Sequence, residues 1–135
     1  MVNEGARTEY FLVFATASCD GLSKMKNAMW RIDPDRGSMF SDTAHSSPTM
    51  LMRLDRGSGL RHALLKRFAR NGPVRIEEIE RYVLEETPYS ETMHLKKQNL
   101  SRLESEVPAR IRVTRPTGKR KRAGEYPPGT LIEFF

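Results

Sequence analysis

Apolar positions along the chain fall into two blocks with different rhythms, separated by a polar stretch. The first block opens with Tyr10-Phe11-Leu12-Val13-Phe14-Ala15. An unbroken apolar run of this length predicts a strand buried on both faces rather than one with a face toward water. Thr16 to Gly21 interrupts it, with Ser18 or Asp20 placed to cap a helix. Leu22, Met25 and Met29 then recur at i, i+3 and i+7 beside Trp30 and Ile32, an amphipathic pattern that Pro34 ends. Asp35-Arg36-Gly37 reads as a turn and Ser38-Met39-Phe40-Ser41 as a short extended piece.

Residues 46–57 carry Ser, Pro, Thr, Asp and Gly and are assigned as a linker. The second block follows. Leu60, Leu64 and Phe68 make the stripe of one helix, closed by Asn71-Gly72-Pro73. Ile76, Ile79 and Val83 make a second, closed before Thr87-Pro88. A third helix is expected from about Glu91 to Glu106, capped by Ser90. A winding of 3.6 residues per turn puts Leu100, Leu103 and Val107, with Met93, on its apolar face. After Pro108 the period drops to two: Ile111 and Val113 alternate with Arg112 and Thr114. A turn-rich segment, Pro116 to Gly129, leads to Leu131-Ile132-Glu133-Phe134-Phe135, a strand able to pair back as a hairpin.

The fold class expected is therefore α+β. A winged helix-turn-helix over 58–135 is preceded by a small strand-helix-strand segment over 1–45. That segment poses a problem of its own. A strand like Tyr10–Ala15 needs neighbours on both edges, and the chain offers few. The expectation is self-association or docking onto a protein partner through this strand.

Charge sharpens the picture. The 135 residues hold 23 Lys and Arg against 17 acids, a formal net charge of +6. From Met93 to Arg122 there are ten basic residues and two acids, so this stretch alone carries +8 and the remainder is close to neutral. Such a concentration predicts a polyanionic partner, nucleic acid before membrane surface. Opposite the apolar stripe of the third helix the 3.6 winding places His94, Lys97, Gln98, Ser101, Arg102 and Ser105, a face without acids. Gln reads adenine bidentately, and Arg reads guanine or neutralises phosphate. Lys119-Arg120-Lys121-Arg122 sits at the hairpin tip with Arg115 on its stem. The DNA-binding set is accordingly His94, Lys97, Gln98, Ser101, Arg102, Arg115, Lys119, Arg120, Lys121 and Arg122. The bland alternatives stand beside it: a solvated basic loop, and an ordinary solvated helix face.

Enzyme chemistry finds no foothold. Cys19 is the one cysteine, so no CxxC pair or disulfide exists within the chain, and the three histidines are widely separated. Cys19 follows a strand and precedes a helix but has no histidine near it in sequence. No GxGxxG, P-loop, HExxH or GxSxG occurs. Neither cofactor nor metal is expected. A mean hydropathy of −0.60 and the lack of a long apolar run or signal-type N-terminus predict a cytoplasmic protein with no membrane span.

The residues Tyr10-Phe11-Leu12-Val13-Phe14-Ala15-Thr16, Gly21-Leu22-Ser23-Lys24-Met25-Lys26-Asn27-Ala28-Met29-Trp30-Arg31-Ile32-Asp33-Pro34 and Phe40-Ser41-Asp42 resemble the C-terminal part of the bacterial and phage three-Cys-motif partner proteins. There a GLxxMKxAMWxxDP stretch closes a methyltransferase-like domain and a winged helix follows. Ile76–Val83, Glu86–Tyr89 and His94–Lys97 are similar to that winged helix. The portion of such proteins that would hold S-adenosylmethionine has no counterpart here. The resemblance implies DNA binding in repair or phage-related processes, without that cofactor. A protein-interaction module, or an accessory fragment of a larger methyltransferase-like protein, is the alternative.

Overall fold

A computed structural model describes residues 13–34, 58–116 and 124–135. The chain divides into two compact units, Met1–Arg56 and Gly57–Phe135.

In the first unit the described structure is one helix, α1 (Cys19–Ile32). Ser18 caps it, its hydroxyl accepting a hydrogen bond from the Gly21 N–H at 3.4 Å, and Asp20 lies in the first turn where a negative charge suits the helix dipole. The helix ends at Ile32, two residues before Pro34. The expected strand is not seen where it can be checked: Val13–Ala15 form no strand and are exposed, Val13 at 86%. Among the described residues no strand pairs with it, so this part of the run has no ladder to join there. Residues 10–12, the extended piece at 38–41 and the linker at 46–57 lie outside the described residues.

The second unit is α+β, a helical layer against a small antiparallel sheet. Its order is α2 (Ser58–Phe68), β1 (Val74–Arg75), α3 (Ile76–Glu86), α4, β2 (Ile111–Thr114) and β3 (Leu131–Phe134). Helix α4 has two parts, a π-type segment over Glu91–Leu100 and an α-helical turn over Ser101–Ser105. The sheet order is β1-β3-β2, with Val74 opposite Ile132, and Ile111 to Thr114 opposite Phe134 to Leu131.

The stripes that spacing predicted on α2 and α3 are buried as sets: Leu60, Leu64 and Phe68, then Ile76, Ile79 and Val83. They form one core with Val74, Leu95, Leu100, Leu103, Ile111, Tyr126, Ile132 and Phe134. Phe68 stacks on Phe134 with ring centroids 5.6 Å apart and takes the Tyr82 ring edge-on at 5.2 Å. Helix α2 terminates through Arg70 in the left-handed region (φ 67°) and Gly72 (φ 75°), while the Asn71 amide donates to the Arg67 carbonyl at 2.8 Å. Gly129 (φ 81°) fits the turn before β3, where its N–H donates to the Glu77 carboxylate at 2.6 Å. Hydrogen bonding from its own backbone N–H, and then from that of Gly129, holds the exposed Glu77 carboxyl below the usual range.

Candidate functional site

Helix α4 departs from the 3.6 period, and the departure decides which residues face outward. Ser90 caps its start, accepting from the Met93 N–H at 3.2 Å. Within the helix the Ser101 N–H reaches the Lys96 carbonyl, an i→i+5 bond. Burial follows the same wider pitch. His94 and Leu95 are buried, then Asn99 and Leu100 five positions on, then Leu103 where the winding becomes α-helical. The exposed rows are Thr92 and Met93, then Lys97 and Gln98, then Arg102 and Ser105, with Ser101 half-buried beside them.

Two expectations are corrected by this winding. His94 does not belong to the outward face: it is 4% exposed, packed edge-on to Tyr89 with ring centroids 5.8 Å apart. Its Nδ1 lies 3.2 Å from the Ser90 nitrogen and 3.3 Å from the Ser90 carbonyl oxygen, accepting from the N–H in one tautomer and donating to the carbonyl when it carries a proton. Val107 does not belong to the apolar face either. The helix stops at Ser105, Glu106 is extended, and Val107 lies in the following loop, 98% exposed. Lys97, Gln98, Ser101, Arg102 and Ser105 do share one face. Asn99 is fully buried, its amide donating to the His94 carbonyl at 2.9 Å, while its Oδ1 has no hydrogen-bond partner among the described residues.

Burial pushes the His94 imidazole below its ordinary value, partly opposed by the hydrogen bond that a protonated Nδ1 donates to the Ser90 carbonyl. The unfolded chain therefore takes up a proton near pH 6.5 that the folded unit refuses until lower pH. This contribution to stability is complete above about pH 6.5 and falls as the pH drops below it, through the lowered folded-state value. We expect the urea midpoint to decline between pH 7.5 and 5.5, and His94→Gln to flatten that decline. An identical decline in the variant would remove His94 as its source.

The two acids at the C-terminal end of α4 and just beyond it, Glu104 and Glu106, are both paired. Glu104 accepts two hydrogen bonds from Arg115 Nη2, at 2.9 and 3.0 Å, and one from the Tyr126 hydroxyl at 2.8 Å. Glu106 pairs with Arg61 at 3.3 Å. Lys96 is turned to Glu80 of α3 at 2.7 Å. Of the cations on the helix, Lys97 and Arg102 remain on the exposed rows. Residues 57–135 hold 16 Lys and Arg against 10 Glu, so the whole formal charge of +6 belongs to this unit and residues 1–56 are neutral.

Arg115 is the third correction. Its side chain is 10% exposed and is used internally: besides Glu104 it donates from Nε to the Glu125 carbonyl at 3.1 Å and lies 5.5 Å from the Tyr126 ring centroid. Burial, together with the Glu104 carboxylate, pushes the Tyr126 phenol well above its usual range. Gly124 (φ 84°) follows the basic segment so closely against the helix that an added Cβ would stand 3.5 Å from Ser101 Oγ. Lys119, Arg120, Lys121 and Arg122 lie outside the described residues. Their flanks do not: Arg115 and Pro116 on one side, Gly124 to Tyr126 on the other, are held beside Ser101 and Glu104 of α4.

A cleft of about 470 Å³ at the foot of this hairpin is lined by Lys96, Arg115, Gly124, Glu125, Tyr126, Pro127 and Pro128. Two of its charges are already engaged, Lys96 by Glu80 and Arg115 by Glu104. Among the described residues no group of three or more His, Cys, Asp or Glu is arranged to hold a metal, and no helix is long and apolar enough to cross a membrane. Cys19 is exposed, at the start of α1.

Compared with protein-family models, curated proteins and solved structures, the chain matches none.

Proposed function

We propose that the second unit is a winged helix that binds duplex DNA without catalysing a reaction. Helix α4 would lie in the major groove and the basic hairpin segment on neighbouring phosphates. One observation carries the reading: the outward rows of α4 present Lys97, Gln98, Ser101, Arg102 and Ser105 without an exposed carboxylate among them, and both flanks of the Lys119–Arg122 segment are pinned beside that face. A polar helix face without exposed acids supplies base-edge donors, and four consecutive cations in the chain supply charge for phosphate contacts. The element order, three helices with a β1 strand between the first two and a terminal hairpin, agrees with that use. The resemblance to three-Cys-motif partner proteins adds DNA repair or phage-related processes as the setting.

The test is fluorescence anisotropy of a labelled random-sequence duplex titrated at two salt concentrations. Affinity that falls steeply with salt supports the proposal, because released counterions scale with phosphates neutralised. No binding at low salt overturns it. A second reading, docking onto a protein partner, draws on the exposed apolar Val13 and Phe14 ahead of α1. A stoichiometric complex insensitive to salt would favour it.

A further inference from the structure

We infer that helix α4 reads A·T base pairs in the major groove through two side chains, the Gln98 amide and the Met93 methyl, and that these two set a sequence preference. This rests on the DNA-binding reading and deepens it by naming the bases. The outward residues of α4 differ in what each has left to offer a ligand. Thr92 is engaged at the helix start, its hydroxyl 3.1 Å from that of Ser90. The Ser105 hydroxyl donates to the Arg102 carbonyl at 3.1 Å. Ser101 is half-buried, so close to Gly124 that a Cβ added there would stand 3.5 Å from its Oγ. Lys97 and Arg102 carry donors and no acceptor, which suits phosphate oxygens or the two acceptors of guanine. Gln98 is exposed, makes no hydrogen bond among the described residues, and offers both a donor and an acceptor.

That pairing of a donor with an acceptor is what adenine requires. In the major groove adenine shows its N7 acceptor beside its N6 donor, and a side-chain amide answers both at once. Met93 points to the same base pair from different chemistry. An ordinary winding puts it inward, yet it is 38% exposed on a face that is otherwise polar. The pitch that buries His94 with Leu95, and Asn99 with Leu100, is the one that turns Met93 and Gln98 outward. With backbone bonds closing from i to i+5, these two residues lie one turn apart on the same side. A large apolar side chain facing water gains from any apolar surface that covers it. The apolar group that the major groove offers is the C5-methyl of thymine. One helical turn, about 5 Å, spans one to two base-pair steps of about 3.4 Å, so the thymine methyl falls within two pairs of the adenine.

The experiment is selection of binding sites by the full chain from duplexes with a randomised centre, followed by anisotropy titration of the selected duplex with single base analogues in place. 7-Deazaadenine lacks the N7 acceptor, and deoxyuridine lacks the thymine methyl. Selection is expected to enrich A·T pairs, and exchange of the adenine's pair for G·C to weaken binding about tenfold. For the unmodified chain, 7-deazaadenine is expected to cost about fivefold in affinity, the worth of one hydrogen bond. Deoxyuridine is expected to cost about fourfold, the worth of one buried methyl group. Gln98→Ala should abolish the response to 7-deazaadenine and keep that to deoxyuridine, and Met93→Ala should do the reverse. Neither variant removes a charge, so the salt slope should stay as it is in both. An ordinary solvated face predicts no such exchange of sensitivities. Should one variant fail to fold by circular dichroism, the other and its analogue carry the test. Enrichment of G·C pairs instead, or an analogue that costs the variant lacking its partner as much as it costs the unmodified chain, overturns the inference. Binding without any preference overturns it while leaving the DNA reading intact. Failure to bind any duplex at low salt overturns both.

Discussion

Alanine at Lys119, Arg120, Lys121 and Arg122 is expected to cut affinity for duplex DNA about a hundredfold near 50 mM salt, and to reduce the salt slope by up to about 3.6. The slope is the sharper quantity. Each lysine or arginine seated on a phosphate displaces condensed counterions and contributes about 0.9 to the slope for B-form DNA, so four contacts bound the change. The flanks of the segment are held by Arg115, Tyr126 and Gly124 against α4, which is why its cations are expected to act together with Lys97 and Arg102. An unchanged slope would take the hairpin out of the interface.

Leu95→Ala is expected to cost the second unit about 3 kcal/mol, and Val107→Ala close to nothing, by urea denaturation with far-UV circular dichroism. The pair tests the winding of α4. Leu95 is fully buried and belongs to the single core, so its truncation removes apolar area and leaves a cavity between helices. Val107 is 98% exposed and removes neither. A regular 3.6 winding anchored on Leu100 and Leu103 would reverse the order, with Val107 inside. For a unit of this size, whose total stability is on the order of 4–12 kcal/mol, the Leu95 loss is a large fraction and easily read. A larger cost at Val107 than at Leu95 would return the helix to the regular period.

The same helix shows where sequence reasoning reached and where it stopped. Helices α2 and α3 were legible because their apolar residues repeat at the spacing of an ordinary helix, and the structure buries those residues as sets. β2 was legible from the period-two alternation after Pro108, and β3 as the largely apolar run that follows a turn-rich segment. In α4 the buried pairs recur every five residues, a spacing that a 3.6 template spreads over both faces. It assigned His94 outward and Val107 inward, and the structure reverses both. Asn99, polar yet fully buried, was the residue in the sequence that marked the wider pitch. β1, two residues long, is too short for any alternation; only its pairing with β3, distant in sequence, defines it. Arg115 was misassigned for a related reason. Composition counts cations, but which of them has already been neutralised depends on an acid eleven residues away on another element.

The strand order β1-β3-β2 bears on how the unit comes into being during synthesis. The central position belongs to Leu131–Phe134, the last of the three strands to be made. Until it emerges, the ladder groups that Val74 and Arg75, and Ile111 to Thr114, use in the finished sheet await their partner, and the floor beneath Phe68 lacks Phe134. Helices can form as they appear, but the sheet closes around its latest element, with pairings between residues far apart in sequence. A nascent chain stalled before Leu131 would expose Ile111 and Val74 as unsatisfied edges, and a trigger-type holding chaperone or a protease would meet it in that state. Completion of this sheet therefore waits on its third strand rather than being spread along the unit.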